Sequence, residues 1–257
     1  MTIHSTAIID DSAKIHPSAV IGAYCIVGAN VRIGENTRLL RHVVVGENTT
    51  IGKNNEIYQF ASIGETPQDL KYAGEPTYLE IGDNNRIREA CTIHRGTGEA
   101  GGLTKIGNNN LLMVNTHVAH DCRIGNYNVI ANNVGIAGHV IIDDFAIIGG
   151  NSGIHQFCRI GSYSMTAGAS LILKDVCAFV MVGGNPAKAK GLNKEGMRRK
   201  GWSKTTIETL EEAYRIMFRS GLIKDEAIAR LETLVQQEPK VALMIESLRL
   251  SERGLVR

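Results

Sequence analysis

An aliphatic residue returns at every sixth position through much of this 257-residue chain. Six residues turn an α-helix through about 600°, so this period cannot keep one helix face apolar. A solenoid that turns a corner every six residues can do so. In the first frame the aliphatic residues are Ile9, Ile15, Ile21, Val27, Ile33, Leu39, Val45, Ile51, Ile57 and Ile63, and a later frame runs from Ile106 to Ile160.

Each hexad also carries residues suited to a turn. Glycine often follows the aliphatic residue, and Asn or Asp comes soon after it, as in VGAN, IGEN, VGEN and IGKN. Both Gly and Asn tolerate the left-handed backbone region, so each hexad is predicted to form a short strand and a corner. Three hexads would make one triangular coil, and coils would stack about 4.8 Å apart by parallel ladders. The predicted fold is mainly β, a parallel β-helix.

The frame is interrupted twice. In the first interruption the in-frame residues are Asp69 and Glu75, which cannot lie unpaired in an aliphatic core. The second interruption contains HRGTGEAGGLTK. We therefore predict loop excursions near residues 64–80 and 94–105. Long loops on a rigid scaffold often carry function.

A helical pattern replaces the period of six after the sequence GNP. Ser203 is the predicted N-cap of an amphipathic helix that ends at Gly221, and two further amphipathic segments follow it. We therefore expect a β-helix over residues 1–186 and a small α-helical C-terminal domain over residues 187–257.

Composition excludes several functional classes. A net charge of +2 is not that of a nucleic-acid-binding protein, so no nucleic-acid partner is expected. No apolar run approaches the roughly 20 residues needed to span a bilayer. The five cysteines form no C-x-x-C pair, which argues against a disulfide framework and a thiolate zinc site. We expect a cytoplasmic protein with no membrane span, no metal and no cofactor.

Four of the eight histidines fall on one side of three successive predicted coils. A neutral imidazole is the usual general base near pH 7, so this clustering favours a catalytic site and base catalysis without a covalent intermediate. Asp121 follows His120 and could fix its tautomer, although neighbouring residues on a strand point to opposite faces. The clustered histidines are His117, His120, His139 and His155.

The hexads resemble those of the left-handed parallel β-helix acyltransferases. The motifs IYQFASIGE, QDLKYAGEPT, TIHRGT, HVAHDC, AGHV, HQFCRIG and GNPA extend the resemblance over nearly the whole chain. The most similar members transfer an (R)-3-hydroxyacyl group from acyl carrier protein to the 3-hydroxyl of UDP-N-acetylglucosamine, the first step of lipid A biosynthesis. The resemblance implies the left-handed winding, and a homotrimer with active sites between neighbouring β-helices.

The resemblance also implies roles for single residues. His120 matches the general base and Asp121 its partner, while Gly138 matches the backbone N–H donor to the oxyanion. Gly168 matches the acyl-length ruler, and as glycine it should leave the groove open to a chain of about C12 to C14. Matches to substrate-binding residues are Asp69 for the sugar, His117, His139, His155 and Gln156 for the sugar and acyl clefts, and Asn193 and Arg199 for the uridine diphosphate.

Two departures from the family pattern affect the same region. Pro186 stands where members carry a histidine after GN, and Lys200 stands where a second arginine follows Arg199. Lysine keeps the charge but lacks the bidentate fork of arginine. The basic segment 187–204 also suits an acidic carrier protein, or it forms a solvated helical face.

Three other classes remain open. The N-acyltransferase of the same pathway uses the same donor and fold, but it normally carries an extra N-terminal domain, whereas here the hexads begin by Ile9. A γ-type zinc carbonic anhydrase shares the solenoid, but the histidine spacing and the basic helical tail argue against it. A non-catalytic scaffold would have regular faces, which the two loops and the clustered histidines contradict.

Overall fold

The computed structural model of this chain describes residues 2–257. Most of its strands have only two residues, because the chain turns a corner after each one. The strands are β1 (Thr2–Ile3), β2 (Ile8–Ile9), β3 (Lys14–Ile15), β4 (Val20–Ile21), β5 (Ile26–Val27), β6 (Arg32–Ile33), β7 (Arg38–Leu39), β8 (Val44–Val45), β9 (Thr49–Ile51), β10 (Glu56–Ile57), β11 (Ser62–Glu65), β12 (Tyr78–Ile81), β13 (Arg86–Ile87), β14 (Thr92–His94), β15 (Leu103–Ile106), β16 (Leu111–Leu112), β17 (His117–Val118), β18 (Arg123–Ile124), β19 (Val129–Ile130), β20 (Gly135–Ile136), β21 (Ile141–Ile142), β22 (Ile147–Ile148), β23 (Gly153–Ile154), β24 (Arg159–Ile160), β25 (Met165–Thr166), β26 (Leu171–Ile172), β27 (Val180–Gly183) and β28 (Lys188–Leu192).

Most strands pair in parallel with the strand three further along the chain. The strands therefore form three sheets, which are the sides of a triangular prism. The first sheet runs β1-β4-β7-β10-β13-β16-β19-β22-β25-β27, with β28 added antiparallel to β27. The second runs β2-β5-β8-β11-β14-β17-β20-β23-β26, and the third contains β3, β6, β9, β12, β15, β18, β21 and β24. The predicted fold, a left-handed parallel β-helix followed by helices, is confirmed.

From Tyr24 onward, most corners place one residue in the left-handed backbone region, and many of these residues are asparagines. At Asn30 φ is 57° and at Asn36 it is 54°. The glycine that follows the aliphatic residue has a different role from the one predicted. At Gly34 an added Cβ would lie 2.5 Å from the carbonyl oxygen of Gly52 in the next coil, so glycine here permits close stacking of coils.

The core of the prism contains the aliphatic residue of nearly every hexad, as the period predicts. A ladder of buried asparagines, which the aliphatic pattern does not reveal, runs beside it. The side-chain oxygen of Asn55 accepts a 2.9 Å hydrogen bond from the backbone N–H of Asn85, and Asn85 accepts one of the same length from Asn110. Each of these side chains thereby ties one coil to the next.

Two irregular segments leave the prism on its side: the first loop, residues 66–77, and the second loop, residues 95–102. The second loop includes a short 3-10 turn at Gly98–Ala100. The two loops contact each other. The backbone N–H of Gly98 donates a 3.0 Å hydrogen bond to Glu75, and Lys71 lies 3.1 Å from Glu99.

Four helices follow the prism and cover its C-terminal end. The hydroxyl of Ser203 caps α2 by accepting a 3.1 Å hydrogen bond from the N–H of Thr206, which confirms the predicted cap. The segment before α2 contains β28, which was not predicted, and the short helix α1, while the domain boundary at residue 186 stays a prediction. The helices are α1 (Lys194–Arg199), α2 (Lys204–Arg219), α3 (Lys224–Val235) and α4 (Val241–Leu250).

Contacts from the C-terminal end close the last coil. The hydroxyl of Ser247 in α4 accepts a 3.0 Å hydrogen bond from the N–H of Ala178, and the hydroxyl of Ser251 donates one of 2.7 Å to Asp175. Across residues 2–257, none of the helices combines the length and the apolar character required to cross a membrane.

Candidate active site

His120 and Asp121 lie at the corner between β17 and β18 and contact each other directly. Asp121 has φ of 59°, so the pair is on a left-handed turn and not on a strand. The rule that neighbouring side chains point to opposite faces therefore does not apply here. Nδ1 of His120 lies 2.8 Å from Oδ2 of Asp121. Since an ionised carboxylate only accepts hydrogen bonds, Nδ1 carries the proton and Nε2 is left as an acceptor.

The carboxylate of Asp121 is held from the second loop. Its side chain is only 2% exposed. Thr97 donates to it twice, through its backbone N–H at 2.9 Å and its hydroxyl at 2.7 Å. The backbone N–H of Asp121 itself donates to the hydroxyl of Thr104 at 2.8 Å. A buried carboxylate with this many donors is fixed in position.

Gly138 and His139 come from the next coil and complete the surroundings of His120. The rings of His139 and His120 meet edge to face, with centroids 5.1 Å apart, and His139 stacks on Phe157 at 4.5 Å. A Cβ at Gly138 would lie 2.6 Å from Cε1 of His120, so the imidazole occupies the space that a side chain there would need. Gly138 lies outside the strands and helices. Within residues 2–257, its backbone N–H donates no hydrogen bond to a backbone carbonyl.

Two further histidines lie on the N-terminal side of this group. His117 shares a 2.7 Å hydrogen bond with the hydroxyl of Thr92, and its ring meets His94 edge to face at 5.0 Å. Burial, followed by the charge of His120, lowers the pKa of His117. His94 was not predicted as a site residue. It follows Ile93 as His155 follows Ile154, which is a signal in the sequence, but it lies before the frame that begins at Ile106.

The buried His94 makes folding stability dependent on pH. Burial, and secondarily His117, lowers its pKa from 6.5 to about 4. Between these values the unfolded chain binds a proton that the folded chain does not, so stability falls as pH drops from 6.5 toward 4. The loss reaches about 3 kcal/mol at most. Urea unfolding at fixed protein concentration should show a smaller loss from pH 7.5 to pH 5 for His94→Gln than for the wild type. Equal losses would contradict this assignment.

The first loop brings Asp69 toward the histidines. Its side chain accepts a 2.9 Å hydrogen bond from the N–H of Lys71, which shapes the turn. Burial lowers the pKa of His139, and the nearby carboxylates of Asp121 and Asp69 oppose that shift. The sugar-binding residue expected from the sequence therefore lies within electrostatic reach of the site.

His155 and Gln156 follow β23, one coil beyond His139 in the same sheet. Nδ1 of His155 lies 3.0 Å from the carbonyl oxygen of Gln156, so the ring donates to this local acceptor. The Gln156 side chain is exposed. With His120 and His139 they form one corner of the prism, the histidine corner, and extend it toward the C-terminal end.

Gly168 lies at a different corner of the prism from His120. It follows β25 in the first sheet, whereas His120 follows β17 in the second. Gly168 is exposed, and an added Cβ would meet only the carbonyl oxygen of Gly150, at 3.3 Å. A longer side chain there would project away from the prism.

Asn193 and Arg199, the residues expected to contact the diphosphate end, are the N-cap and the last residue of α1. The side chain of Asn193 is buried, accepts from the N–H of Gly196 at 3.0 Å and donates to the carbonyl of Tyr163 at 3.1 Å. It therefore serves as the cap of α1 in this chain. The Arg199 side chain is 79% exposed and lies 3.2 Å from Glu195. The neighbouring Lys200 lies over the ring of Phe145, 4.1 Å from its centroid.

His120, Asp121 and His139 also offer donor atoms within 4.8 Å of one another, which is close enough to share a metal ion. The 2.8 Å separation of Nδ1 and Oδ2 is equally that of a charge-assisted hydrogen bond. A histidine oriented in this way by a buried carboxylate, beside a free backbone N–H, is suited to acid–base catalysis of acyl transfer.

Comparison with known proteins identifies the family. The profile of the bacterial transferase hexapeptide family matches residues 1–35 and 103–138, and that of UDP-N-acetylglucosamine O-acyltransferase, domain 2, matches residues 175–256. An acyl-[acyl-carrier-protein]–UDP-N-acetylglucosamine O-acyltransferase from Psychrobacter sp. (strain PRwf-1) is 63% identical over 99% of each chain.

Solved structures agree with the sequence relatives. UDP-N-acetylglucosamine O-acyltransferase (LpxA) from Moraxella catarrhalis RH4 is 68% identical, with a TM-score of 0.98 over 100% of both chains. LpxA from Acinetobacter baumannii is 62% identical, with a TM-score of 0.98 over 100% of both chains. Because relatives this similar match it from end to end, the chain belongs to the family of the UDP-N-acetylglucosamine O-acyltransferases.

Proposed function

We propose that this enzyme transfers an (R)-3-hydroxyacyl group from acyl carrier protein to the 3-hydroxyl of UDP-N-acetylglucosamine, the first step of lipid A biosynthesis, with His120 as the general base. The relatives' names support the donor and the acceptor. The observation that carries the mechanism is the 2.8 Å contact between His120 and the buried Asp121, which leaves Nε2 free to accept a proton.

The proposed reaction is a direct transfer. Nε2 of His120 takes the proton of the sugar 3-hydroxyl as its oxygen attacks the thioester carbonyl carbon. The N–H of Gly138 donates to the oxyanion that forms. As the carbon–sulfur bond breaks, the protonated His120 returns the proton to the departing thiolate. The products are the sugar ester and the free thiol of the carrier protein, and His120 regains its starting state.

The remaining site residues are proposed to bind substrate. We propose that Asp69 on the first loop contacts the sugar and that the histidine corner contacts the sugar and acyl groups. Arg199 is exposed enough to meet a diphosphate, whereas Asn193 would have to exchange its capping bonds to do so. The proposed substrate-binding set is Asp69, His117, His139, His155, Gln156, Asn193 and Arg199.

We propose a homotrimer, because a single chain does not bring two parts of the proposed site together in one cleft. His120 and Gly168 lie at different corners, so the Gly168 corner of one copy facing the His120 corner of another would bring both into one cleft. The cytoplasm is the proposed location, which suits five free and buried cysteines.

The proposed function is tested by incubating the protein with UDP-N-acetylglucosamine and a series of 3-hydroxyacyl carrier proteins, with products identified by mass. An acylated sugar nucleotide bearing a base-labile ester is the expected product. Transfer only to an acceptor with a free amine would identify the N-acyltransferase reaction instead. Absence of any acyl transfer, together with stoichiometric zinc, would favour the carbonic anhydrase alternative.

Gly168→Met should shorten the acyl chain that the enzyme prefers. The methionine side chain would project from an open corner into the space proposed for the end of the acyl chain. We expect the variant to lose about 10-fold or more in kcat/KM for the longest accepted donor while keeping activity with donors a few carbons shorter. Competition between donors of two lengths measures the effect directly. An unchanged preference would remove Gly168 from the acyl groove.

A further inference from the structure

We propose that Thr97 is a positioning residue for the reaction, holding the Asp121 carboxylate in the orientation that directs His120. This inference deepens the proposed function and rests on it. Within residues 2–257, three groups donate to the Asp121 carboxylate: the backbone N–H and the hydroxyl of Thr97, and Nδ1 of His120. The second loop therefore positions Asp121, the partner of the proposed general base.

Thr97 is itself held firmly. It is 4% exposed, and its carbonyl accepts a 2.9 Å hydrogen bond from the N–H of Gly102 across the second loop. The N–H of the preceding Gly96 donates to the carbonyl of Tyr78 at 3.2 Å. A Cβ at Gly96 would lie 2.8 Å from Oδ1 of Asp121, so glycine there lets the loop approach the carboxylate.

The hydroxyl of Thr97 acts on the same oxygen that His120 uses. Oδ2 of Asp121 accepts from this hydroxyl at 2.7 Å and from Nδ1 of His120 at 2.8 Å. Nε2 of His139 lies 3.9 Å from the same oxygen. Without the hydroxyl, the backbone N–H of Thr97, 2.9 Å from Oδ1 and 3.1 Å from Oδ2, is the remaining donor from the second loop, and the carboxylate could then turn from His120 toward His139. Such a turn would misdirect Nε2 of His120, whereas Thr97 itself is buried and does not belong to the surface proposed to bind substrate.

Three variants test this role. Thr97→Val removes the hydroxyl but keeps the shape and the backbone donor, and we expect kcat to fall about 10-fold with KM for UDP-N-acetylglucosamine unchanged within about 2-fold. Thr97→Ser keeps the hydroxyl and should restore most of the activity. Thr77→Val is the matched control, because Thr77 is also buried and its hydroxyl has no partner in the described part of the chain.

A double-mutant comparison separates positioning from packing. In an Asp121→Asn background, Thr97→Val should cost less than about 2-fold further, because the carboxylate through which it acts is gone. The same loss in both backgrounds, or equal losses for Thr97→Val and Thr97→Ser, would overturn the proposal.

A second readout does not depend on turnover. In histidine-labelled protein, Thr97→Val should shift the nitrogen and proton resonances of the His120 Nδ1–H group, and Thr77→Val should leave them in place. Unshifted resonances in Thr97→Val would refute the positioning role. A wild type that fails to acylate UDP-N-acetylglucosamine while the resonances shift as expected would contradict the proposed function but support the role of Thr97 in positioning Asp121 and His120.

Discussion

His120→Ala should reduce kcat by at least ~100-fold while leaving a folded protein, the loss expected when a general base is removed. The alanine cannot accept the proton of the attacking hydroxyl, whereas the oxyanion donor at Gly138 and the binding surfaces are kept. The His120 side chain is 15% exposed at a corner of the prism, so its removal should leave the aliphatic core intact. Steady-state rates with saturating donor and acceptor, together with circular dichroism, measure both parts of the expectation.

His16→Ala is the matched control for this experiment. His16 also lies at a corner of the prism, and its ring contacts the hydroxyl of Ser18 at 2.9 Å, far along the chain from the site. Its removal should change kcat by less than about 2-fold, since surface substitutions of this kind have small effects. Turnover of His120→Ala close to that of the wild type would disprove the assignment of the base.

Gly138→Ala should be nearly as damaging, by about 100-fold in kcat, for a steric reason. The new methyl group would lie 2.6 Å from Cε1 and 2.7 Å from Nε2 of His120, closer than carbon and nitrogen atoms approach without a bond. The obstacle is a side chain and not backbone, so the chain can fold if the imidazole moves away. That movement breaks the 2.8 Å contact with Asp121. A crystal structure of the variant should show the rotated ring.

The alanine at residue 138 keeps its backbone N–H, so this variant separates the steric role of Gly138 from its proposed role as oxyanion donor. Gly135→Ala is the control, because it adds a methyl group in the same coil where no atom lies within 4 Å. We expect its rate to stay within about 3-fold of the wild type. If Gly138→Ala were as active as Gly135→Ala, the position of His120 could not be critical to the rate.

Much of the fold could be predicted from the aliphatic period, since buried residues at every sixth position admit few architectures. The period predicted parallel stacking of the coils but not the side-chain and backbone contacts between them. Gly34 serves close approach to the next coil and not a left-handed turn, and the buried asparagines such as Asn85 replace aliphatic contact with hydrogen bonds. These depend on atoms one coil away, about which a period along the chain carries no information.

The candidate site was predictable where it follows the coils and not where it depends on the loops. Coil arithmetic placed His120 and His139 in neighbouring coils, and the structure places their rings 5.1 Å apart. The hydrogen bonds from Thr97 to Asp121 could not be predicted, because the second loop follows no period and its path is set by tertiary contacts. The burial of Asn193 was not predicted either, because its side chain bonds to Tyr163, 30 residues away in the sequence.

The parallel register of the second sheet has a consequence for how chains of this kind can change in length. His117 pairs with Gly135, one 18-residue coil further along, so the spacing between the halves of the site is the spacing between coils. Inserting a whole coil between Asp121 and Gly138 would move the two halves apart by about 4.8 Å. The same insertion near the N-terminal end would only lengthen the prism. Length variation is therefore expected in multiples of a coil and away from the histidine corner.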